Sequence, residues 1–308
     1  MKNIKNLFAY VAGYIDGDGC FYLGKFIQKP KDIIVYEYSI QIVSVKEPVL
    51  REFKSQFGGA IRIKPFKEKH KDAFCWTIKN DNSIQLAESI KEFLVEKIYQ
   101  CDLFIQFSKL ITHNKFRTIG IDLINKREEI IENIRKEKHM SNLITKEEIE
   151  IAKKDTLTIT PSEIDFSYLA GLLDSEGCFR VRKWKPKNKP NHVYCIGIEI
   201  GNTKLPIIPW LIKRFGGGVT FIEAKGNKKA SATWNLSSRA LYKILPKIRP
   251  YLRTKKEICD KLIEFQETII SNGGDRNSIL FKAMFKKRQE VRERIVQEVH
   301  NFNHKGSI

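Results

Sequence analysis

Hydrophobic and polar positions alternate between two periods along this chain. Leu7 to Asp16 carries apolar residues at helical spacing and is followed by Gly17 and Gly19, so a short helix ending there is predicted. From Tyr36 the period drops to two. Tyr36, Tyr38, Ile40 and Ile42 alternate with Glu37, Ser39, Gln41 and Val43, the pattern of a half-buried strand. Pro48 to Phe57 reads as a helix closed by Gly58 and Gly59, residues 61–64 and 74–78 as two more strands, and 83–108 and 122–139 as helices. The predicted unit is α-β-β-α-β-β-α plus a tail helix. This is an α+β arrangement with helices on one face of an antiparallel sheet.

The whole order then recurs. Phe8-Ala9-Tyr10-Val11-Ala12-Gly13-Tyr14-Ile15-Asp16-Gly17-Asp18-Gly19-Cys20-Phe21 returns as Phe166-Ser167-Tyr168-Leu169-Ala170-Gly171-Leu172-Leu173-Asp174-Ser175-Glu176-Gly177-Cys178-Phe179, an offset of 158 positions. The offset holds through Lys46 and Lys204, Pro48 and Pro206, the Phe57-Gly58-Gly59 and Phe215-Gly216-Gly217 turns, Trp76 and Trp234, and Lys97 and Lys255. A weaker echo, offset by 161, pairs Glu132 with Glu293 and His139 with His300 in the tail helices. One unit is written twice. Residues 1–142 are read as the first unit, 143–163 as a polar linker with Pro161 stopping any preceding helix, and 164–308 as the second unit.

The duplication gives charge and composition their meaning. With 55 Lys and Arg against 36 Asp and Glu, the 308-residue chain carries a formal charge of +19, which favours a polyanionic partner. At 42% hydrophobic and 11% aromatic residues it is too rich in core formers to be a disordered basic tail. No stretch approaches the roughly 18 apolar residues of a membrane span, and no strongly amphipathic basic helix stands out, so a membrane role is disfavoured. The six cysteines are scattered without a C-x-x-C pair, which suggests neither a zinc site nor a disulfide framework and fits a reducing compartment.

The candidate chemistry sits at the ends of the duplicated helices. Asp18 and Glu176 follow helix C-termini, where the partial negative charge of the dipole disfavours a carboxylate by about 0.3 to 1 kcal/mol. A hard divalent cation resolves the conflict, because it takes oxygen ligands from carboxylates and from helix-end carbonyls such as those of Gly17 and Ser175. Ala12-Gly13 and Ala170-Gly171 supply small residues that let the two helices pack closely and bring the acids together across a pseudo-twofold axis.

Residues 11–19 and 169–177 resemble the two signature helices of a monomeric, double-motif LAGLIDADG homing endonuclease, and the likeness covers nearly the whole chain. The resemblance implies two antiparallel sheets forming a saddle over double-stranded DNA, with the signature helices packed at the domain interface. It implies double-strand cleavage at one long asymmetric site, with 3′ overhangs, by a protein working as a monomer. Asp18 and Glu176 match the metal-binding acids, Gly17 and Ser175 the backbone-carbonyl position, and Lys97 and Lys255 the basic residue near the scissile phosphates. Asp16 and Asp174 match an acid that caps and joins the helices. Mg²⁺ is the expected cofactor, with Mn²⁺ substituting and Ca²⁺ binding without supporting cleavage. The sequence departs from the family at Val45 and Thr203, where a water-ordering Gln is common; Val45 cannot fill that role. Alternative readings are an RNA maturase acting on intron RNA and a non-cleaving DNA-binding regulator. The abundance of Lys, Ile and Asn points to an AT-rich genome such as that of an organelle or a small bacterium, and the expected location is intracellular, at DNA, in an organelle or a bacterial cytoplasm.

Strand alternation nominates the DNA-facing side chains. In the first copy these are Tyr22, Gly24, Glu37, Ser39, Gln41, Arg62, Lys64, Cys75 and Thr77; in the second, Arg180, Arg182, Trp184, Glu199, Thr220, Thr233 and Asn235. A mixed set of Arg, Gln and Glu suits base readout in the major groove. Lys25, Lys29 and Lys67 in the first copy, and Lys183, Lys185, Lys187, Lys225 and Lys228 in the second, are expected at hairpin tips against phosphates.

Overall fold

The computed structural model describes residues 4–30, 33–65, 72–111, 121–140, 144–154, 159–188, 192–204, 206–268 and 279–305. The first half runs α1 (Ile4–Asp18), β1 (Gly19–Gln28), β2 (Ile33–Ser44), α2 (Glu47–Phe57), β3 (Ala60–Lys64), β4 (Ala73–Lys79), α3 (Asn80–Ile90), a 3₁₀ turn (Lys91–Phe93), α4 (Ile98–Leu110) and α5 (Ile121–Met140). After α6 (Lys146–Lys154) the second half repeats it: α7 (Glu163–Glu176), β5 (Cys178–Trp184), β6 (Val193–Asn202), α8 (Ile207–Phe215), β7 (Gly218–Ile222), β8 (Ser231–Ser237), α9 (Ser238–Ile248), α10 (Lys256–Glu267) and α11 (Ile279–Lys305). Each half holds a four-stranded antiparallel sheet, ordered β1-β2-β4-β3 and β5-β6-β8-β7. The α+β duplication expected from the periodicity is therefore observed.

Alternation decides what each sheet buries. Phe21, Ile40, Ile42, Trp76 and Ile78 turn inward and are at most 1% exposed, as are Phe179, Ile198, Ile200, Trp234 and Leu236 in the second half. Phe53 of α2 and Phe104 of α4 pack on this face against Trp76 and Phe21. The Gly-Gly turns close each α2-type helix in a conformation that disfavours side chains, with φ of +77° and +85° at Gly58 and Gly59 and +65° and +95° at Gly216 and Gly217. Each turn is pinned by an indole: Trp76 Nε1 donates to the Gly58 carbonyl and Trp234 Nε1 to that of Gly216.

Four features depart from the sequence reading. First, α1 continues through Gly17, so Asp18 is the last residue of its helix rather than a residue beyond it. Second, the single helix expected over 83–108 is two helices and a turn. The break has a cause: the Asp16 carboxylate accepts the backbone N–H groups of Val95, Glu96 and Lys97 at 2.7, 3.2 and 2.8 Å, diverting them from a helical ladder. Asp174 does the same to Arg253, Thr254 and Lys255 between α9 and α10.

Third, the segment read as a linker contains α6, which packs on α8 and buries Ile144 and Ile149. The repeat encodes this dock by its own departures. Where exposed α2 carries Arg51 and Lys54, α8 carries Pro209 and Ile212. Fourth, the tail helices correspond at an offset of 165, not 161. In α5, Glu128 accepts from the Tyr36 hydroxyl and Lys25 Nζ while Arg127 stacks over the Tyr36 ring. In α11, Glu293 accepts from Tyr194 and Lys183 while Arg292 stacks over Tyr194. Charged helix faces are tolerant of register slips in sequence comparison; these ligand-like contacts are not.

Candidate functional site

The site is built on the seam between α1 and α7. Ala12, Gly13, Ala170 and Gly171 are buried there, and the two backbones approach so closely that a Cβ on Gly13 would collide with the Tyr168 carbonyl and one on Gly171 with that of Tyr10. Small residues permit this approach because nothing stands between the helices. α7 starts in a capping box, in which Ser162 and Asp165 satisfy each other's backbone N–H groups, and Asp165 also pairs with Arg214 at 2.6 Å.

Asp16 and Asp174 lock the seam crosswise. Besides the three N–H groups from its own half, each accepts a tyrosine hydroxyl from the other half: Tyr168 to Asp16 at 2.6 Å and Tyr10 to Asp174 at 2.7 Å. Burial is the main reason that both phenols are held well above their ordinary pKa, with the adjacent carboxylate adding to it, so they remain donors. The tyrosines lie inside the repeated motif; their pairing across the seam had no sequence signal.

At the C-terminal ends of these helices Asp18 and Glu176 meet. The Glu176 side chain lies against the same spot, since a Cβ on Gly17 would stand 3.0 Å from Glu176 Cγ. Burial, then the neighbouring Glu176 charge, push the Asp18 carboxyl up to about 6, against the pull of the Lys97 and Lys255 ammonium groups. Two carboxylates forced together at the negative ends of two helix dipoles leave the site short of positive charge. Among the described residues, no group of three or more His, Cys, Asp or Glu side chains surrounds one metal position. Carboxylate and main-chain oxygens are hard donors, the type a divalent cation takes.

Lys97 and Lys255 act on the helix ends themselves. Lys97 Nζ donates to the carbonyls of Ile15, Asp16 and Gly17 at 2.7, 2.7 and 3.1 Å, using all three ammonium donors. Lys255 Nζ donates to Leu173 and Gly177 at 2.6 and 2.7 Å, leaving one donor free of these carbonyls. Burial lowers its pKa, opposed by Asp174 and Asp18. The Gly17 carbonyl, nominated as a ligand, thus already accepts one hydrogen bond and keeps a second lone pair.

The seam is asymmetric beyond this. The half-buried Glu96 accepts from Asn202 Nδ2 at 2.7 Å and lines a cavity of about 290 Å³ with Gly17, Glu176, Thr203 and Thr233. Its repeat partner Thr254 turns instead to Asp174, 2.8 Å away. Val45 and Thr203 are both exposed on the rim.

On the open sheet faces most nominated side chains are accessible, but not all. Glu37, Gln41, Arg62, Lys64 and Thr77 line one groove of about 720 Å³. Tyr22 and Trp184 are 38% and 47% exposed. Arg182, Thr220, Lys29, Lys185, Lys187, Lys225 and Lys228 are exposed, and Thr233 and Asn235 half-buried. Arg180 and Glu199 form an ion pair, as do Glu37 and Lys79. Ser39 is a correction. It has the expected parity but is fully buried, its hydroxyl accepting from Gln41 at 3.0 Å, because longer neighbours cover it. Cys75 is likewise buried and Gly24 lies beneath the Tyr22 ring. Lys25 is a second correction. It shares the parity of buried Phe21 and Leu23, so it points to the helix side and pairs with Glu128 at 2.7 Å; Lys183 repeats this with Glu293. Lys67 lies outside the described residues.

The LAGLIDADG endonuclease family model matches residues 11–111 and 169–268, and the chain belongs to that family. No curated protein matches it by sequence. Among solved structures, it is similar to the LAGLIDADG homing endonuclease I-SmaMI bound to cleaved DNA, with a TM-score of 0.65, 16% identity and 98% of both chains covered. I-SmaMI bound to uncleaved target with calcium gives 0.63 and 16%, covering 93% of this chain and 97% of that one. The meganuclease I-AabMI on uncleaved DNA gives 0.61 and 19%, covering 93% and 98%. At these identities the likeness establishes the fold. No described helix is long and apolar enough to cross a membrane.

Proposed function

We propose that this protein is a site-specific homing endonuclease that binds one long, asymmetric DNA target as a monomer and hydrolyses both strands, leaving 3′ overhangs. The observation that carries this reading is the pairing of Asp18 with Glu176 at the ends of the packed helices. The family membership and the DNA named with I-SmaMI and I-AabMI support it.

Asp18 and Glu176, with the Gly17 and Ser175 carbonyls, would hold divalent cations, Mg²⁺ or Mn²⁺ for reaction and Ca²⁺ for binding alone; I-SmaMI has been solved with calcium. Such ions supply charge against phosphate oxygens and raise the acidity of water. The chain does the rest by placement. Asp16 and Asp174 fix the seam, and Lys97 holds the α1 terminus in place through its carbonyls. Lys255 presents its remaining N–H toward charge that builds on phosphorus-bound oxygen. A water oxygen bonds phosphorus and gives up a proton to solvent as the P–O3′ bond breaks, and the leaving 3′ oxygen takes up a proton from solvent. Arg62, Gln41, Arg180 and Arg182 read base edges, and Lys64 and the outward-facing tip lysines neutralise phosphates.

The test is incubation with Mg²⁺ and a duplex joining the two flanks of the protein's own reading frame, with a chelator control. Cutting of both strands at one position supports the reading. Tight binding without cutting would assign the chain to a non-cleaving regulator.

A further inference from the structure

The two halves carry the same fold but not the same groups around the paired acids. On one side of the seam Glu96 reaches across to Asn202, and the cavity beside Glu176 is lined by Glu96, Asn202, Thr203, Ser231 and Thr233. Glu96, Thr203, Ser231 and Thr233 carry side-chain oxygens, while Asn202 Oδ1 accepts the Lys204 N–H at 2.8 Å. On the other side Val45 and Thr254 line a groove of about 710 Å³, but neither Asp18 nor Glu176 lines it. Thr254 spends its hydroxyl on Asp174, and Ser44 accepts the Lys46 N–H as its repeat partner Asn202 accepts that of Lys204, but Ser44 also accepts from the Tyr14 hydroxyl at 3.1 Å and reaches no counterpart of Glu96. Val45, exposed there, offers only methyl groups.

We infer that Glu96 is a positioning residue that orders attacking water on its side alone, so the protein cuts its two DNA strands in a fixed order, the Glu96 side first. The inference rests on the endonuclease reading and deepens it. One Glu96 carboxylate oxygen is held by the Asn202 amide, and its backbone N–H is held by Asp16, so the side chain is fixed from both ends. A fixed carboxylate in a cavity large enough for several waters accepts a hydrogen bond from one of them and aims its lone pair, at no cost in reorganisation.

The test uses a duplex carrying different fluorophores on the two strands, followed on a denaturing gel with the full chain and Mg²⁺. Wild type is expected to accumulate a nick in one particular strand before the second cut. Glu96→Gln, which preserves shape, and Glu96→Thr, which copies Thr254, are each expected to slow that first cut at least about tenfold while leaving the other strand's rate within about twofold, because the placement of one water is lost on one side only. Calcium titration by calorimetry on the DNA complex should give the same stoichiometry for wild type and both variants. Simultaneous cutting by wild type, equal slowing of both strands, or loss of a bound ion in either variant would overturn the inference. Complete inactivity of wild type would instead sink the endonuclease reading on which it stands. Unchanged thermal midpoints, expected for Glu96→Gln, separate positioning from folding.

Discussion

The hydroxyl of Tyr10 in the first half donates to Asp174 in the second at 2.7 Å, while Tyr168 returns the bond to Asp16 at 2.6 Å. Each carboxylate is thereby the junction of one helix end, one interhelix loop and the opposite half. Tyr10→Phe or Tyr168→Phe is expected to cost about 1.5 to 3 kcal/mol, the range for hydrogen bonds to charged groups, measured by urea unfolding. A loss near zero would mean that the backbone N–H groups alone hold the junction.

Close packing of α1 on α7 predicts severe sensitivity at the glycines. Gly13→Ala and Gly171→Ala each place a methyl against backbone of the other helix, which cannot rotate away. Destabilisation at or above the ~1 to 3 kcal/mol typical of overpacking is expected in thermal melts.

Asp18 gives a pH prediction with a definite sign. Its folded pKa of about 6 lies above its ordinary value, so the folded protein binds the proton more tightly than the unfolded chain and the ionised form is penalised above pH 6. Asp18→Asn should therefore stabilise the metal-free protein at pH 7.5, by about 1 kcal/mol once solvent screening is allowed for. The advantage should shrink toward pH 5, where the wild-type carboxyl is largely protonated. Calorimetric melts at the two values check this; an Asn variant less stable at pH 7.5 would contradict it.

Lys25 and Lys64 separate the two faces of the first sheet. Lys64→Ala should weaken DNA binding and reduce the magnitude of the salt slope by about one ion, at −0.9 in log K per neutralised phosphate. Lys25→Ala, whose ammonium is committed to Glu128 on the helix side, should leave that slope unchanged. Fluorescence anisotropy across a salt series distinguishes them.

What the sequence revealed follows from where its information is local. Strand parity and the exact spacing of Gly17, Asp18 and Lys97 from their partners carried the unit, its duplication and the paired acids. The break at residues 94–97 was invisible, because it is made by Asp16 from some eighty residues away. Lys25 was misplaced by assuming that every lysine near a hairpin tip faces outward, although its parity with Phe21 and Leu23 was already in the sequence. Glu96 was legible only as a mismatch with Thr254, and mismatches in a repeat acquire meaning only once the space they face is known.

The most direct test of the paired-acid site compares wild type, Asp18→Asn and Glu176→Gln on one doubly labelled target duplex. All three should bind it comparably in Ca²⁺, and in Mg²⁺ wild type should cut both strands while each single variant cuts neither at more than about a thousandth of the wild-type rate, a loss of about 4 kcal/mol in barrier lowering. Either variant cutting at the wild-type rate would show that the chemistry lies elsewhere.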